Sequence, residues 1–309
     1  MKIRVLGSAA GGGYPQWNCN HPNSRRARGG DSAASPRTQS SLAVSANERE
    51  WVLFNASPDL RQQINQHPIL HPKQGLRDSP IKAVVLTNAD VDHVAGLLSL
   101  RESQPLRIYA TQRVLQVLQA NSIFNVLNPE YVRREAMALE KPVTILAPAG
   151  TDTGIRVVPF SVPGKVALWL ENPDQGPGFG TIKEDTIALE VRDRLDEIQF
   201  FYVPGCAKMT PELRERLRGA SLVFFDGTLW RDDEMIVSGV GIKTGKRMGH
   251  MSVSGDEGTL AEFKDLDVAR KVFIHINTTN PILLEDSEER ALATAAGWEV
   301  SWDGMDIEI

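Results

Sequence analysis

Apolar residues along the chain come mostly in short runs of strand length bounded by polar or turn-forming residues. Such runs occur at 2–7 (KIRVLG), 40–46 (SSLAVSA), 51–57 (WVLFNAS), 83–88 (AVVLTN), 106–111 (LRIYAT) and 143–148 (VTILAP). They continue at 155–162 (IRVVPFSV), 186–191 (TIALEV), 198–205 (IQFFYVPG), 222–227 (LVFFDG), 271–277 (KVFIHIN) and 298–304 (WEVSWDG). Their number predicts two sheets rather than one. Helical segments are predicted between some of them, at 58–66, 93–102, 111–120, 210–219 and 287–297. Thr210 before Pro211 and Ser287 before a Glu pair mark two helix starts, and Gly297 marks a stop. Two sheets with helices outside make an α/β sandwich, not a doubly wound parallel sheet. The Gly-, Pro- and Ser-rich segments 25–39 and 170–185 read as long loops, of the kind that cover functional sites. With no internal repeat and no low-complexity linker, residues 1–309 read as a single domain.

Composition narrows the partners more than the fold. The chain is 41% hydrophobic and 24% charged, with a formal net charge of -5 and no basic stripe, which disfavours nucleic acid and anionic membrane surfaces as partners. No run approaches the roughly 20 apolar residues of a membrane span, and the start MKIRVLGSAAGGG lacks the apolar middle of a secretory signal. A cytoplasmic location is therefore expected. Cys19 and Cys206 are far apart and form no disulfide framework, so a metal site must rest mainly on His and carboxylates.

The densest candidate chemistry lies in LTNADVDHVAGLL, residues 86–98, where Asn88, Asp90, Asp92 and His93 follow the end of an apolar run. Taken alone, Asp92 reads as a helix cap, and a lone His beside a strand reads as a hydrogen-bonded core residue. Other strand ends and turns offer comparable groups, however: Asp226 in LVFFDGTLW, His250 in KRMGHMSVSG and His275 in KVFIHINTTNP. Converging groups of this kind mark a shared site, and carboxylate with imidazole suits a borderline divalent cation. GSAAGGG lacks both the Gly-Lys-Ser/Thr ending of a phosphate loop and the dinucleotide-binding spacing. Its glycines are better explained by close backbone approach or by a wall of the pocket.

The x-x-Asp-x-Asp-His spacing, the later Asp-Gly-Thr strand end, the Gly-His turn and the last apolar strand with its His resemble the metallo-β-lactamase superfamily, particularly its ribonuclease Z-like branch. VLGSAAGGGYPQWNCN, RTQSSLAVS, NASPDLRQQI, DVDHVAGLLSLRE, YVPGC, FFDGTLWRDDEM, GHMSVSG and HINTTNPIL together resemble the pyrroloquinoline quinone (PQQ) synthesis protein B family over nearly the whole chain. The resemblance implies an αββα sandwich of two mixed β-sheets flanked by helices. It also implies a part in making PQQ from a Glu and a Tyr of a precursor peptide, as an iron-dependent hydroxylase of the tyrosine ring. Two alternatives stay open: a carrier moving PQQ or its precursor towards the periplasm, and a metal-dependent hydrolase.

Against the superfamily pattern His-x-His-x-Asp-His, this chain has Asn88, Asp90, Asp92 and His93, and Gly205 and Cys206 stand where a bridging Asp is expected. The first zinc site of the hydrolases is therefore expected to be missing or badly weakened. Asp92, His93 and His275 remain, the two-His-one-carboxylate set of non-haem Fe(II) oxygenases. Asp90 is either an extra ligand or an acceptor orienting an imidazole. The resemblance points to His250 for proton transfer on the phenol or catechol oxygen, with metal ligation as second choice; imidazole titrates near neutrality. Asp226 either orients His250 or makes a turn.

The implied cofactor is Fe(II), with zinc as the metal of purified protein, and the implied partners are O2 and a Glu-Tyr-derived substrate; whether the chain forms a homodimer stays open. The carboxylates of such a substrate point to Arg37, Arg61, Arg101 and Lys208 as binding candidates. Cys19 and His21 stand where the family has a three-Cys zinc knuckle, but with Ser24 at the third position the structural zinc site is expected to be lost or to need His or carboxylate ligands from elsewhere. A Gly-rich loop stabilised by packing of Trp17 is the preferred reading there.

Overall fold

In the computed structural model, which describes residues 1–176 and 178–309, the strands form two seven-stranded sheets. The first runs β14 (Asp306–Glu308), β1 (Lys2–Gly7), β2 (Ser41–Ser45), β3 (Trp51–Phe54), β4 (Ile81–Val85), β5 (Leu106–Thr111) and β6 (Val132–Met137). The second runs β13 (Trp298–Val300), β12 (Arg270–Ile274), β11 (Leu222–Asp226), β10 (Ile198–Val203), β9 (Ile187–Arg192), β8 (Asp152–Ser161) and β7 (Val143–Leu146). Both are mixed: β3 to β6 pair in parallel, as do β10 to β13, and the remaining pairs are antiparallel.

The period-two alternation of strand side chains explains why the central strands read as continuous apolar runs. Val52 and Phe54 of β3 and Leu222 and Phe224 of β11 point into the core between the sheets, where Phe54 meets Tyr202 with ring centroids 5.7 Å apart. Leu53, Val84 and Ile108 point outward beneath the helices Leu60–Gln66 and Gln112–Ala120, contacting Leu60, Val114 and Leu118. Val223, Phe225 and Phe273 pack against the helices Pro211–Leu217 and Glu288–Ala295 through Leu213, Leu217 and Ala293. The layers are helix, sheet, sheet, helix, which is the αββα sandwich expected.

The helix starts at Thr210 and Ser287 are formed as read: their side chains accept from Leu213 N and Arg290 N. Some expectations need correction, and one strand was not anticipated. The segment 93–102 is a short α-helix, Val91–Val94, continued by a 3-10 turn over Ala95–Leu100. The loop at Ala56 interrupts it, its N–H donating to His93 O at 2.7 Å and its carbonyl accepting from Gly96 N at 2.9 Å. The predicted loop 25–39 begins inside a helix, Pro22–Arg28, which His21 caps through Nδ1. The strand β6, VRREAM, carries three charged residues and shows no apolar alternation, as suits the edge position it occupies. Trp17 is 85% exposed and does not pack the N-terminal loop, which is held instead by Arg28 donating to the Cys19 and Gln16 carbonyls. The predicted loop 170–185 contains a 3-10 turn at Pro173–Gln175, and its Pro177 lies outside the described residues.

Candidate metal centre

The carboxyl ends of parallel strands are where sheets of this kind build sites, and here β4, β10, β11 and β12 bring their following residues to one cavity of about 460 Å³. After β4, Asn88 Oδ1 accepts from Asp90 N at 3.0 Å, a turn that aims the next residues. The same oxygen lies 2.8 Å from His93 Nδ1. Nδ1–H donates to it, which fixes the tautomer and leaves Nε2 with a free lone pair. That Nε2 is buried and has no hydrogen-bond partner among the described residues.

Asp92 does not cap the helix it sits in; the cap position is Asp90, whose side chain makes no capping bond. Asp92 Oδ2 instead lies 3.0 Å from His275 Nε2 and 4.0 Å from His93 Nε2. Gly11 of the N-terminal glycine run packs on this carboxylate: a Cβ there would approach Oδ2 to 3.3 Å, so this glycine forms part of the wall of the site. His275, one residue past β12, has φ +60°, the left-handed region that costs a non-Gly residue roughly 1–2 kcal/mol. Backbone strain of this sort persists where surrounding bonds impose it. Here Thr228 Oγ1 packs 2.9 Å from the His275 carbonyl and 2.9 Å from its Nδ1, the latter close enough for the hydroxyl oxygen to accept from the ring.

Asp92, His93 and His275 thus place one ligand atom each within 4.8 Å of one another. A buried nitrogen left unpaired costs about 1–3 kcal/mol, and two imidazoles with a carboxylate are a donor set for a divalent transition metal. The residues fit a metal ion. Burial pushes the His93 imidazole down to about 4, so at neutral pH it is the uncharged form that a metal needs. Burial alone would raise the Asp92 carboxyl, but the imidazoles of His93 and His275 outweigh it and hold it below the usual carboxylate range. For His275 burial acts downward, and the hydrogen bond and charge of Asp92, with Asp226 and Asp90, raise it above the ordinary imidazole value.

A second cluster shares His275. Asp226, at the end of β11, and His250 complete it, again with ligand atoms within 4.8 Å. Asp226 does both things the sequence left open. Its Oδ1 accepts from Thr228 N at 3.0 Å and Thr228 Oγ1 at 2.6 Å, making the turn. Its Oδ2 accepts from Cys206 N at 2.9 Å and lies 2.6 Å from His250 Nδ1, orienting the ring. The residue common to the two clusters is His275, and Asp226 belongs to the second. Cys206 contributes a backbone N–H, and burial pushes its thiol up to about 12, which makes it a poor ligand.

Asp90 falls outside both clusters. Its Oδ1 accepts from Leu168 N at 3.0 Å and lies 3.9 Å from Lys165 Nζ, so it fastens the 165–170 segment over the cavity. None of the four proposed anion-binding residues lines the cavity. Arg37 is buried and donates to the Ser301 carbonyl and Ser8 Oγ. Arg61 is exposed on its helix, Arg101 donates to its own turn at Leu98 O, and Lys208 lines a separate surface groove. The cations at the cavity are Lys165 and Lys243, which sequence position alone did not distinguish from other surface lysines. Cys19 and His21 are not joined by a third metal-ligating side chain among the described residues; the His21 N–H points at Cys19 Sγ, 3.4 Å away. Among the described residues no helix is long and apolar enough to cross a membrane.

A family model described as "Beta-lactamase superfamily domain" matches residues 50–276. "Coenzyme PQQ synthesis protein B" of Xanthomonas oryzae pv. oryzae is 55% identical over 309 residues, all of both chains. The protein of the same description from Gluconacetobacter diazotrophicus is 57% identical over 99% of each. Among solved structures, Zn(2+)-bound PqqB from Methylobacterium extorquens superposes with a TM-score of 0.93 at 48% identity, covering 100% of both chains. The full-length match at this identity, together with the fold and the strand-end cluster, places the chain in the coenzyme PQQ synthesis protein B family of the β-lactamase superfamily.

Proposed function

We propose that this protein acts in the biosynthesis of pyrroloquinoline quinone as a non-haem iron-dependent hydroxylase of the tyrosine ring in a Glu-Tyr-derived precursor. The name of its relatives supports the pathway. The observation that carries the chemistry is the set Asp92, His93 and His275, converging at a cavity with His93 Nε2 unpartnered. Two imidazoles and one carboxylate leave coordination positions open, as Fe(II) oxygenases require. Asp92, His93 and His275 would hold the Fe(II) ion, which when bound would supply activation of O2.

The remaining steps belong to the chain's own residues. Leu168, Met235, Ile242 and Met248 line the cavity and offer an aromatic ring apolar contacts. Thr228, Asp226 and His250 form a hydrogen-bonded relay in which Asp226 holds His250 Nδ1 and leaves the other ring nitrogen for the substrate. His250 is the residue to take the phenolic proton and return it.

A second reading, metal-dependent hydrolysis, is supported by the Asp226, His250 and His275 cluster, which would hold a second ion. Oxygen uptake separates the two. Hydroxylation puts one atom of O2 on the ring and reduces the other to water with two electrons, so protein purified anaerobically, loaded with Fe(II) or Zn(II) and given a Tyr-containing precursor with a two-electron reductant is expected to show precursor-dependent O2 consumption with iron alone. No uptake with iron, with bond hydrolysis under zinc, would overturn the hydroxylase reading.

A further inference from the structure

One group of cations at the cavity is arranged beyond what its own contacts use. Glu171 follows the turn Leu168–Leu170, and its side chain is 10% exposed. The fork of Arg247 holds it, Nη1 to Oε1 at 3.1 Å and Nη2 to Oε2 at 2.5 Å, which satisfies both oxygens and keeps the carboxyl below its ordinary range. Yet two further cations crowd the same carboxylate: Lys165 Nζ lies 3.5 Å from Oε1 and Lys243 Nζ 3.8 Å from Oε2. Both distances exceed those of an N–H···O bond, about 2.7–3.2 Å. Lys165 spends one donor on the Val166 carbonyl and faces Asp90 at 3.9 Å; among the described residues Lys243 makes no ion pair other than the Glu171 approach.

The three cations differ in where they open. Lys165 and Lys243 line the cavity that holds Asp92, His93 and His275, whereas the Arg247 guanidinium lies over the Phe179 ring at 3.7 Å. An ammonium with unfilled donors beside a mainly apolar cavity attracts an anion that enters it. Arg247 can keep Glu171, and with it the covering segment, while the lysines turn to a new partner.

We propose that Lys165 and Lys243 form a carboxylate-binding subsite of the metal centre, neutralised in the ligand-free protein by Glu171, which yields the two lysines to a substrate carboxylate while Arg247 retains it. The ligand class is a small molecule bearing two or more carboxylates on an apolar or aromatic body. Naming that molecule rests on the Glu-Tyr reading above; the preference for carboxylates follows from the lysines alone.

The test is calorimetric titration of the Zn(II)-loaded protein with tricarballylate, a plain tricarboxylate, and with its uncharged trimethyl ester. Wild type is expected to bind the acid and not the ester. Lys243→Gln is expected to weaken binding at least fivefold and Lys165→Gln with Lys243→Gln at least twentyfold, with melting temperatures near wild type. Glu171→Gln, which removes the competing charge, is expected to tighten binding at least threefold. Absence of binding to wild type, affinity within twofold in the folded double variant, or no tightening in Glu171→Gln would each overturn the proposal. Lysine-dependent binding in a protein that consumes no O2 refutes the hydroxylase and leaves the subsite standing; O2 consumption with lysine-independent binding does the reverse.

Discussion

The ring of His93 is held by one atom of Asn88, and removing that atom gives a quantitative check on the centre. In Asn88→Ala the His93 Nδ1–H, buried at a site where His93 is 2% exposed, loses its acceptor 2.8 Å away. An unsatisfied buried donor costs about 1–3 kcal/mol, and the ring escapes part of that cost by rotating or moving its proton to Nε2. Either response spoils the lone pair that faces Asp92 and His275. Loss of a partner that orients a metal-binding imidazole weakens metal affinity by about 10–100-fold, or roughly 1.4–2.8 kcal/mol. Competition of metal-free protein against a chromophoric chelator for Zn(II) measures this directly. Asn88→Asp keeps an oxygen acceptor at the same place and is expected to retain most of the affinity. An Asn88→Ala protein that binds Zn(II) within twofold of wild type would show that His93 is positioned by packing alone.

Three further outcomes follow. His275→Ala leaves only Asp92 and His93 in the first cluster, and metal content by elemental analysis is expected to fall from one ion per chain to below a tenth of that, since two ligands hold a divalent ion poorly; unchanged stoichiometry would point instead to the carrier role. The stabilisation that Zn(II) confers is expected to grow between about pH 6 and about pH 8, read as the gain in melting temperature. The raised His275 contributes stability to the metal-free protein below the ordinary imidazole value, and that contribution fades as pH climbs through its folded value, whereas the metal requires the deprotonated ring; a gain that shrinks across this range would refute the assignment. Glu234 is 6% exposed, and burial lifts its carboxyl to about 7, so the folded state holds its proton more tightly than the unfolded chain and stability declines as pH rises from about 4.5 to about 7. That decline amounts to about 3 kcal/mol for this group, and urea unfolding at about pH 5 and pH 7.5 is expected to show a flatter profile in Glu234→Gln; parallel profiles would refute it.

Much of this was legible because strand patterning is local. The runs around β3, β4, β11 and β12 are apolar on both faces, so they announce buried central strands, and the polar residues just beyond them announce a site at the strand ends. Asp92, His93, Asp226 and His275 were readable for that reason, and His250 by its Gly-bounded turn. The anion-binding side was not. Lys165 and Lys243 acquire their role by facing a cavity and Glu171 across long stretches of chain, and nothing in their sequence neighbours separates them from solvated lysines. Arg37 misled for the converse reason: beside a matched block it looks available, yet burial lowers its guanidinium to about 10 and its donors serve Ser301 and Ser8.

The two positions at which the superfamily histidines are missing carry the last step. Read as a pattern, Asn88 and Asp90 register only as losses. In the fold each is engaged: Asn88 fixes the tautomer of His93 and the turn at Asp90, and Asp90 fastens the Leu168 segment and faces Lys165. A metal-ligating imidazole at position 88 would compete with His93 for its own orientation, and an imidazole at 90 would remove the negative charge opposite Lys165. The arrangement around Asp92, His93 and His275 is thus built around the substitutions, with a covering segment anchored by Asp90 and, beside it, a His250 that Asp226 holds in a second cluster sharing His275.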